Sequence, residues 1–147
     1  MIIYPDTSFI LSLWHSGDVN YAAATKLFAR YSKDTWLWCE LHQLEVPVAA
    51  QTATHRPATP LQQHIARAVI FRAERAVTRG GFVRKQLPPE AVSTALQFAQ
   101  SHGWTQRHTA LDLWHIGAAW ELGANFFATF DERQAEVAGI VGFDSNI

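Results

Sequence analysis

The stretch from residue 109 to residue 136 changes from helical to strand periodicity and back. Apolar residues recur at helical spacing from Leu111 to Leu122, and Gly123 follows as a residue that can take a positive φ. We therefore expect a helix that ends at about Leu122. The next run, residues 125–129, is short and dominated by Phe and Ala, which predicts a strand buried on both faces. Such a strand indicates a parallel sheet.

The same alternation runs through the rest of the chain. Strands are predicted at residues 1–4, 35–39 and 82–86, and helices at residues 7–15, 21–30, 40–50, 61–78 and 90–101. We expect Ala22 and Ala23 to face inward, and Pro47 to kink or fray its helix. Residues 51–60 are expected to be a loop inside one domain that covers residues 1–147, not a domain boundary.

Composition limits the setting of this domain. Apolar residues make up 48% of the chain and charged residues 17%, which excludes disorder. Six Trp and nine Phe are enough to leave aromatic surface for a partner, so a homodimer or an obligate partner is expected. The single Cys39 cannot form an intramolecular disulfide, and no secretory leader pattern is seen, which favours a reducing, cytoplasmic location. No run approaches the roughly 20 apolar residues that cross a bilayer, so no membrane contact is expected.

Charge is distributed unevenly, although the formal net charge is only −1. Residues 60–86 contain six basic side chains and one acidic side chain, a net charge of +5, which leaves −6 elsewhere. Such asymmetry is typical of a protein that binds an anion with one part while acids in another part hold cations. Arg72, Arg75 and Arg79 share one helix face and could contact phosphates, or form an ordinary solvated surface. Arg107 could reach a phosphate or a carboxylate.

Four acids occur where a parallel α/β fold can bring them together. Asp6 and Asp131 follow predicted strands, Asp112 lies in the first turn of a helix, and Glu45 lies within a helix. Functional groups gather at the carboxyl ends of parallel strands. Mg²⁺ and Mn²⁺ prefer oxygen ligands and are commonly held by carboxylates together with substrate phosphates. A phosphodiester is therefore the expected substrate.

The segments that carry these acids resemble the ordered motifs of PIN-domain ribonucleases, most closely VapC-type toxins of toxin–antitoxin systems. The matching segments are YPDTS (residues 4–8), ELHQLEV (40–46), LDLWHIGAA (111–119) and ATFD (128–131). The resemblance implies a three-layer α/β/α sandwich with a central, mostly parallel sheet, RNA cleavage, Mg²⁺ or Mn²⁺ as cofactor, and an antitoxin as protein partner.

By this resemblance Asp6, Glu45, Asp112 and Asp131 form the catalytic metal cluster, and the hydroxyls of Ser8 and Thr129 assist. Two departures from the family pattern are present. Pro5 stands where the family usually has an aliphatic residue, and Glu40 lies near Glu45. We select Glu45 because Leu41 and Leu44 would then be buried on the same helix.

Each acid also has a purely structural interpretation. Asp6 and Asp131 suit helix N-caps, Asp131 with Gln134 and Thr109 with Asp112 suit capping boxes, and Glu45 alone suits a solvated helix position. His108 and His115 flank Asp112 at helical spacing, but the pattern matches no zinc motif, so packing or surface roles are favoured. The sequence leaves open whether one or two metals bind and whether the role is that of a toxin or of RNA processing. A non-catalytic module that binds RNA or protein through the same fold is the rival hypothesis.

Overall fold

The computed structural model describes residues 1–102 and 108–146. The helices and strands are, in order, β1 (Ile2–Pro5), α1 (Thr7–Trp14), α2 (Tyr21–Arg30), β2 (Thr35–Trp38), α3 (Glu40–Ala53), α4 (Gln63–Thr78), β3 (Val83–Arg84), α5 (Ala91–His102), α6 (Ala110–Glu121), β4 (Phe126–Ala128), α7 (Glu132–Ile140) and β5 (Asp144–Ser145). No helix within these ranges is long and apolar enough to cross a membrane.

The strands form one parallel sheet in the order β3-β2-β1-β4-β5. Ile3 of β1 is opposite Trp36 on one side and Phe126 on the other, so β1 lies at the centre. β5 was not predicted, because Asp144 and Ser145 carry no apolar pattern and are identified as a strand only by pairing with β4. The predicted α/β class with a parallel sheet is confirmed.

Alternate side chains of each central strand enter two separate cores. Tyr4, Leu37 and Phe127 belong to the first core, which is completed mainly by α5, α6 and α7. Their strand neighbours belong to the second core, which is completed mainly by α1, α2 and α4: Ile3, Trp36, Trp38, Phe126 and Ala128. Because successive strand residues point to opposite faces, this division shows helices on both sides of the sheet. The three-layer prediction is confirmed.

Two local predictions were wrong because the phase or length of a helix differs from the pattern. In α2, Ala24 is buried, whereas Ala22 and Ala23 are exposed. α3 continues through Pro47 to Ala53 and does not end at residue 50. Buried residues on both sides of the proline, Val46 and Ala50, keep the two halves of this helix packed on the core. The predicted C′ role of Gly123 is confirmed by its φ of 70°.

Gly117 permits an unusually close approach of α5 and α6. A Cβ atom at this position would lie 2.4 Å from the backbone oxygen of Ala91 and 3.0 Å from the backbone nitrogen of Ala95. Backbone atoms cannot rotate away as a flexible side chain can. This contact therefore limits position 117 to glycine and fixes how deeply α6 sits against its neighbour.

We expect Gly117→Ala to lower the free energy of unfolding by roughly 1–3 kcal/mol, because the added methyl group overpacks the α5–α6 contact. Gly139→Ala in α7 is the matched control, since no atom lies within 4 Å of the added Cβ. The control should raise stability by about 0.4–1 kcal/mol through the reduced entropy of the unfolded chain. Urea denaturation measures both changes, and an equal gain in the two variants would contradict the close packing at Gly117.

Candidate functional site

The carboxyl ends of β1, β2 and β4 surround an open cleft of about 180 Å³. Asp6 follows β1 directly, Asp131 follows β4 after a two-residue link, and Glu45 lies in the second turn of the helix after β2. Asp112 enters from the first turn of α6. All four predicted acids line this cleft, which we call the acidic cleft, together with Ser8. Thr7, His115 and Gln134 also line it, and none of these three was predicted to do so.

Asp6 is the most buried of the four acids, with 3% of its surface exposed. Its Oδ1 caps α1 by accepting a hydrogen bond from the Phe9 backbone N–H at 2.7 Å. The Ser8 hydroxyl donates to the same carboxylate at 2.8 Å, and the Thr129 hydroxyl donates to Oδ2 at 2.6 Å. Burial raises the pKa of Asp6 to about 6, although these hydrogen bonds oppose the shift. A cation placed beside Asp6 would relieve the cost of keeping its charge out of water.

Ser8 and Thr129 join the ends of β1 and β4. Ser8 Oγ accepts a hydrogen bond from the Phe130 backbone N–H at 2.9 Å, and Thr129 Oγ1 accepts one from the Asp131 backbone N–H at 2.9 Å. Each hydroxyl therefore accepts a hydrogen bond from a backbone N–H of the loop after β4 and donates a hydrogen bond to Asp6. The two hydroxyls predicted to assist the acids do contact one of them.

Asp131 caps α7, as its structural interpretation requires. Its Oδ1 accepts hydrogen bonds from the backbone N–H groups of Arg133 and Gln134, and the Arg133 guanidinium forms an ion pair with its Oδ2 at 3.0 Å. The hydrogen bond from Arg133 is the main cause that lowers the pKa of Asp131. The Gln134 side chain does not complete a capping box, because its Nε2 donates to the backbone oxygen of Asp112 at 3.3 Å.

Asp112 forms the predicted capping box with Thr109. Its Oδ2 accepts from the Thr109 backbone N–H at 2.7 Å, and its own N–H donates to the Thr109 hydroxyl at 3.2 Å. The side chain nevertheless lines the acidic cleft. Asp112 and Asp131 therefore both cap a helix and line the cleft.

Glu45, and not Glu40, lies at the acidic cleft. Glu40 is exposed, and its Oε2 accepts a hydrogen bond from the Leu87 backbone N–H at 2.6 Å. Glu45 was selected on the expectation that Leu41 and Leu44 are both buried. Leu41 is buried, but the expectation is wrong for Leu44, which is 67% exposed. Leu44 and Glu45 point about 100° apart around the helix, so an exposed Leu44 is compatible with a Glu45 that lines the cleft.

Two side chains hold Glu45. The Thr7 hydroxyl and His115 Nε2 both donate to Oε2, the histidine at 2.5 Å. Burial alone would raise the pKa of Glu45, but the hydrogen bonds and charge of His115 and the Thr7 hydrogen bond outweigh it and lower the pKa. His115 was expected to have a packing or surface role, and it is buried with 2% exposure. Its position one helical turn after Asp112 was the only sequence signal that could have placed it at the cleft.

The carboxylate oxygens of the cleft are the candidate ligands for a metal ion. Among the described residues, no three Asp, Glu, His or Cys side chains are close enough together to share one metal ion. Mg²⁺ usually keeps several waters and can be held by one or two protein carboxylates, so the carboxylates that line the cleft fit a hydrated ion without a group of three. Asp112 Oδ1 and Glu45 Oε1 accept no hydrogen bond from any described residue and are the oxygens available to it.

The predicted RNA-binding arginines lie elsewhere. Arg72 and Arg75 are exposed on α4 and Arg79 is exposed at its C-cap. None of these three residues, which we call the arginine stripe, lines the acidic cleft. Arg72 Nη1 donates to the backbone oxygen of Trp14 at 3.0 Å, at the opposite end of α1 from Asp6. An eight-residue helix is about 12 Å long, so the length of α1 separates the Arg72 contact at Trp14 from Asp6. Arg107 lies outside the described residues.

Solved structures with a similar fold cover almost the whole chain. VapC20 of Mycobacterium tuberculosis, a sarcin–ricin loop cleaving toxin, has a TM-score of 0.70 and 18% identity, over 96% of this chain and 95% of that chain. VapBC-1 from nontypeable Haemophilus influenzae has a TM-score of 0.63 and 16% identity, over 99% and 97%. VapBC2 from Rickettsia felis, bound to a DNA fragment from its promoter, has a TM-score of 0.63 and 9% identity, over 99% and 98%.

Sequence comparison supplies the family. No match is found among curated protein sequences. The model of the PIN domain matches residues 3–140, a range that includes all four acids of the cleft and both hydroxyl residues. With the sheet order and the cleft described above, this match establishes that the chain belongs to the PIN domain family.

Proposed function

We propose that this chain is a metal-dependent endoribonuclease that hydrolyses RNA phosphodiester bonds and acts as the toxin of a toxin–antitoxin pair. The observation that carries the proposal is the convergence of Asp6, Glu45, Asp112 and Asp131 on one cleft at the carboxyl ends of parallel strands. Membership of the PIN domain family and the fold shared with a sarcin–ricin loop cleaving toxin support it.

The donor set favours Mg²⁺ or Mn²⁺ as the cofactor, since the candidate ligands are hard carboxylate oxygens and no described group of three soft ligands competes. A bound ion of this type supplies an activated water and compensates charge that develops on the phosphate. The protein fixes the carboxylates that would hold it. Ser8 and Thr129 orient Asp6, Thr109 orients Asp112, and Thr7 with His115 orients Glu45.

The rival hypothesis is a PIN-fold module that binds RNA or protein without cleaving. It is favoured by the fact that Asp112 and Asp131 already serve as caps and that Asp131 is paired with Arg133. The two hypotheses differ in one assay. RNA cleavage that requires Mg²⁺, stops with EDTA and is lost in Asp6→Asn supports the enzyme. If no preparation of the protein cleaves RNA, the non-catalytic module is supported.

An antitoxin is proposed as the protein partner, supported by the resemblance to VapC-type toxins and by the VapBC structures of the same fold. A small antitoxin gene in the neighbouring reading frame would support this role over RNA processing. A homodimer is also proposed. Val92, Leu96 and Trp120 are each more than half exposed on α5 and α6, which is costly for large apolar side chains unless another chain covers them. The buried, unpaired Cys39 is compatible with a cytoplasmic location.

Asp112→Asn is expected to reduce cleavage to the level seen with EDTA while the fold persists. The amide oxygen can still accept the Thr109 hydrogen bond, so the cap survives, but the anionic charge is gone. Cleavage of a labelled RNA and thermal melting measure the two effects. Asp144→Asn, at an exposed aspartate of β5, is the control for loss of one carboxylate and should cleave normally. If Asp112→Asn binds Mg²⁺ and cleaves RNA normally, Asp112 has only the structural role of a helix cap.

Asp6→Asn is expected to stabilise the protein in the absence of metal. The folded pKa of about 6 exceeds the ordinary value of 3.8, so the stability that protonated Asp6 contributes at low pH is lost as the pH rises through 6. This loss is at most about 3 kcal/mol, and the variant should avoid it. Urea unfolding in EDTA at about pH 4 and pH 7 should show a gain that grows with pH. Added Mg²⁺ should stabilise only the wild type, and a variant less stable at both pH values would contradict the cost of this buried charge.

RNA binding by the arginine stripe can be tested through its salt dependence. Replacing one phosphate-contacting arginine with alanine should lower the magnitude of the log–log salt slope by about 0.7 for single-stranded RNA, equally for every sequence. Cleavage at saturating RNA should change little, because the stripe lies outside the acidic cleft. Lys33→Ala controls for the loss of one positive charge elsewhere. An unaltered slope in the triple alanine variant would make the stripe a solvated surface or a protein contact.

A further inference from the structure

A buried pair of side chains lies behind Glu45. His115 donates from Nε2 to Glu45 Oε2 at 2.5 Å, and its other ring nitrogen, Nδ1, lies 2.8 Å from the Tyr4 hydroxyl. Tyr4 is fully buried in β1 at the centre of the sheet, where its ring stacks on Phe127 with a centroid distance of 5.6 Å. The imidazole is therefore held from both sides, by the acid at the cleft and by the rigid sheet.

The hydrogen bond between His115 and Glu45 has a fixed direction. A carboxylate can only accept, so Nε2 must carry the proton that faces Glu45. Nδ1 accepts a hydrogen bond from the Tyr4 hydroxyl when the imidazole is neutral and donates one to it when the imidazole is protonated. His115 therefore links Tyr4 to Glu45 and to the acidic cleft, whichever of Tyr4 and His115 is the donor in the hydrogen bond between them.

The consequence appears at the carboxylate of Glu45. Both donors, His115 and the Thr7 hydroxyl, engage Oε2, and no described residue donates to Oε1. Glutamate has three rotatable side-chain bonds and loses considerable freedom when it is fixed. Two donors on one oxygen hold the carboxylate in a single orientation before any ligand arrives.

We propose that His115 is a positioning residue that fixes Glu45 so that its Oε1 is presented to a divalent cation in the acidic cleft, and that Tyr4 sets the orientation of the His115 ring. This inference rests on the proposed metal dependence. Partners that orient a metal ligand in this way typically change metal affinity by about 10–100-fold when they are removed. Among the described residues the Tyr4 hydroxyl contacts His115 Nδ1 at 2.8 Å and Cys39 Sγ at 3.6 Å, and of these two partners His115 is the one that lines the acidic cleft. An effect of this hydroxyl on metal binding is therefore expected to pass through His115.

The test is calorimetric titration of the RNA-free, full-length protein with MgCl₂ and, in parallel, MnCl₂. Tyr4→Phe removes one hydroxyl and keeps the ring, and His115→Leu removes both hydrogen bonds. His115→Gln is the conservative variant, because its amide N–H₂ can take the place of Nε2 toward Glu45. Tyr31→Phe is the matched control, since Tyr31 packs against Phe126 in the second core, on the other side of the sheet. Each variant is titrated below its melting transition, as followed by circular dichroism.

We expect both Tyr4→Phe and His115→Leu to weaken binding of the cation by about 10-fold or more, His115→Gln to recover most of the affinity, and Tyr31→Phe to match the wild type. If His115→Leu does not fold, Tyr4→Phe decides alone. Folded variants that bind the cation as tightly as the wild type would overturn the positioning role and leave the proposed nuclease intact. A wild-type protein that binds neither cation would overturn the positioning role together with the proposed metal dependence.

Discussion

The buried carboxylate of Asp6 is the constraint around which the rest of the site is built. A charge taken out of water is tolerated only when it is fully hydrogen-bonded, and here the partners come from α1 and from the loop after β4. Those partners meet only if β1 and β4 are neighbours and α1 begins directly after β1. The hydrogen bonds to Asp6 therefore depend jointly on the sheet order, the start of α1 and the placement of the hydroxyls. They do not fully offset burial, which still raises the pKa of Asp6.

Capping and ligand binding need not compete for the same acid. Helices that start at the carboxyl edge of a parallel sheet direct their free N–H groups, and the positive end of their dipoles, toward the crevice. A carboxylate at such a position caps its helix with one oxygen and can face the cleft with the other. Asp112 does this, and Asp6 and Asp131 cap their helices at the same edge. The structural and the chemical interpretations of these residues describe one arrangement.

The sequence was sufficient where the signal is local. Periodicity and the acids after each strand predicted the alternating elements, the parallel sheet and the edge at which the acids meet. It was insufficient where an outcome depends on packing across the fold. The phase of α2 at Ala24, the exposure of Leu44 and the pairing of β5 follow from neighbours distant in sequence. The contact between Glu45 and His115 joins residues 70 positions apart, and no local pattern encodes it.

The pairing of β1 with β4 also sets the order in which the molecule can be completed during synthesis. Asp6 is made 123 residues before Thr129, the residue whose hydroxyl donates to its Oδ2. Parallel strands so distant in sequence pair late, because the intervening chain must be ordered first. A ribosome-bound chain in which β4 has not yet been made contains Asp6 but lacks β4 and the following loop, which form one side of the cleft. The site is thus assembled only after Thr129 has been made and β4 has paired with β1, which delays any activity of the cleft until then.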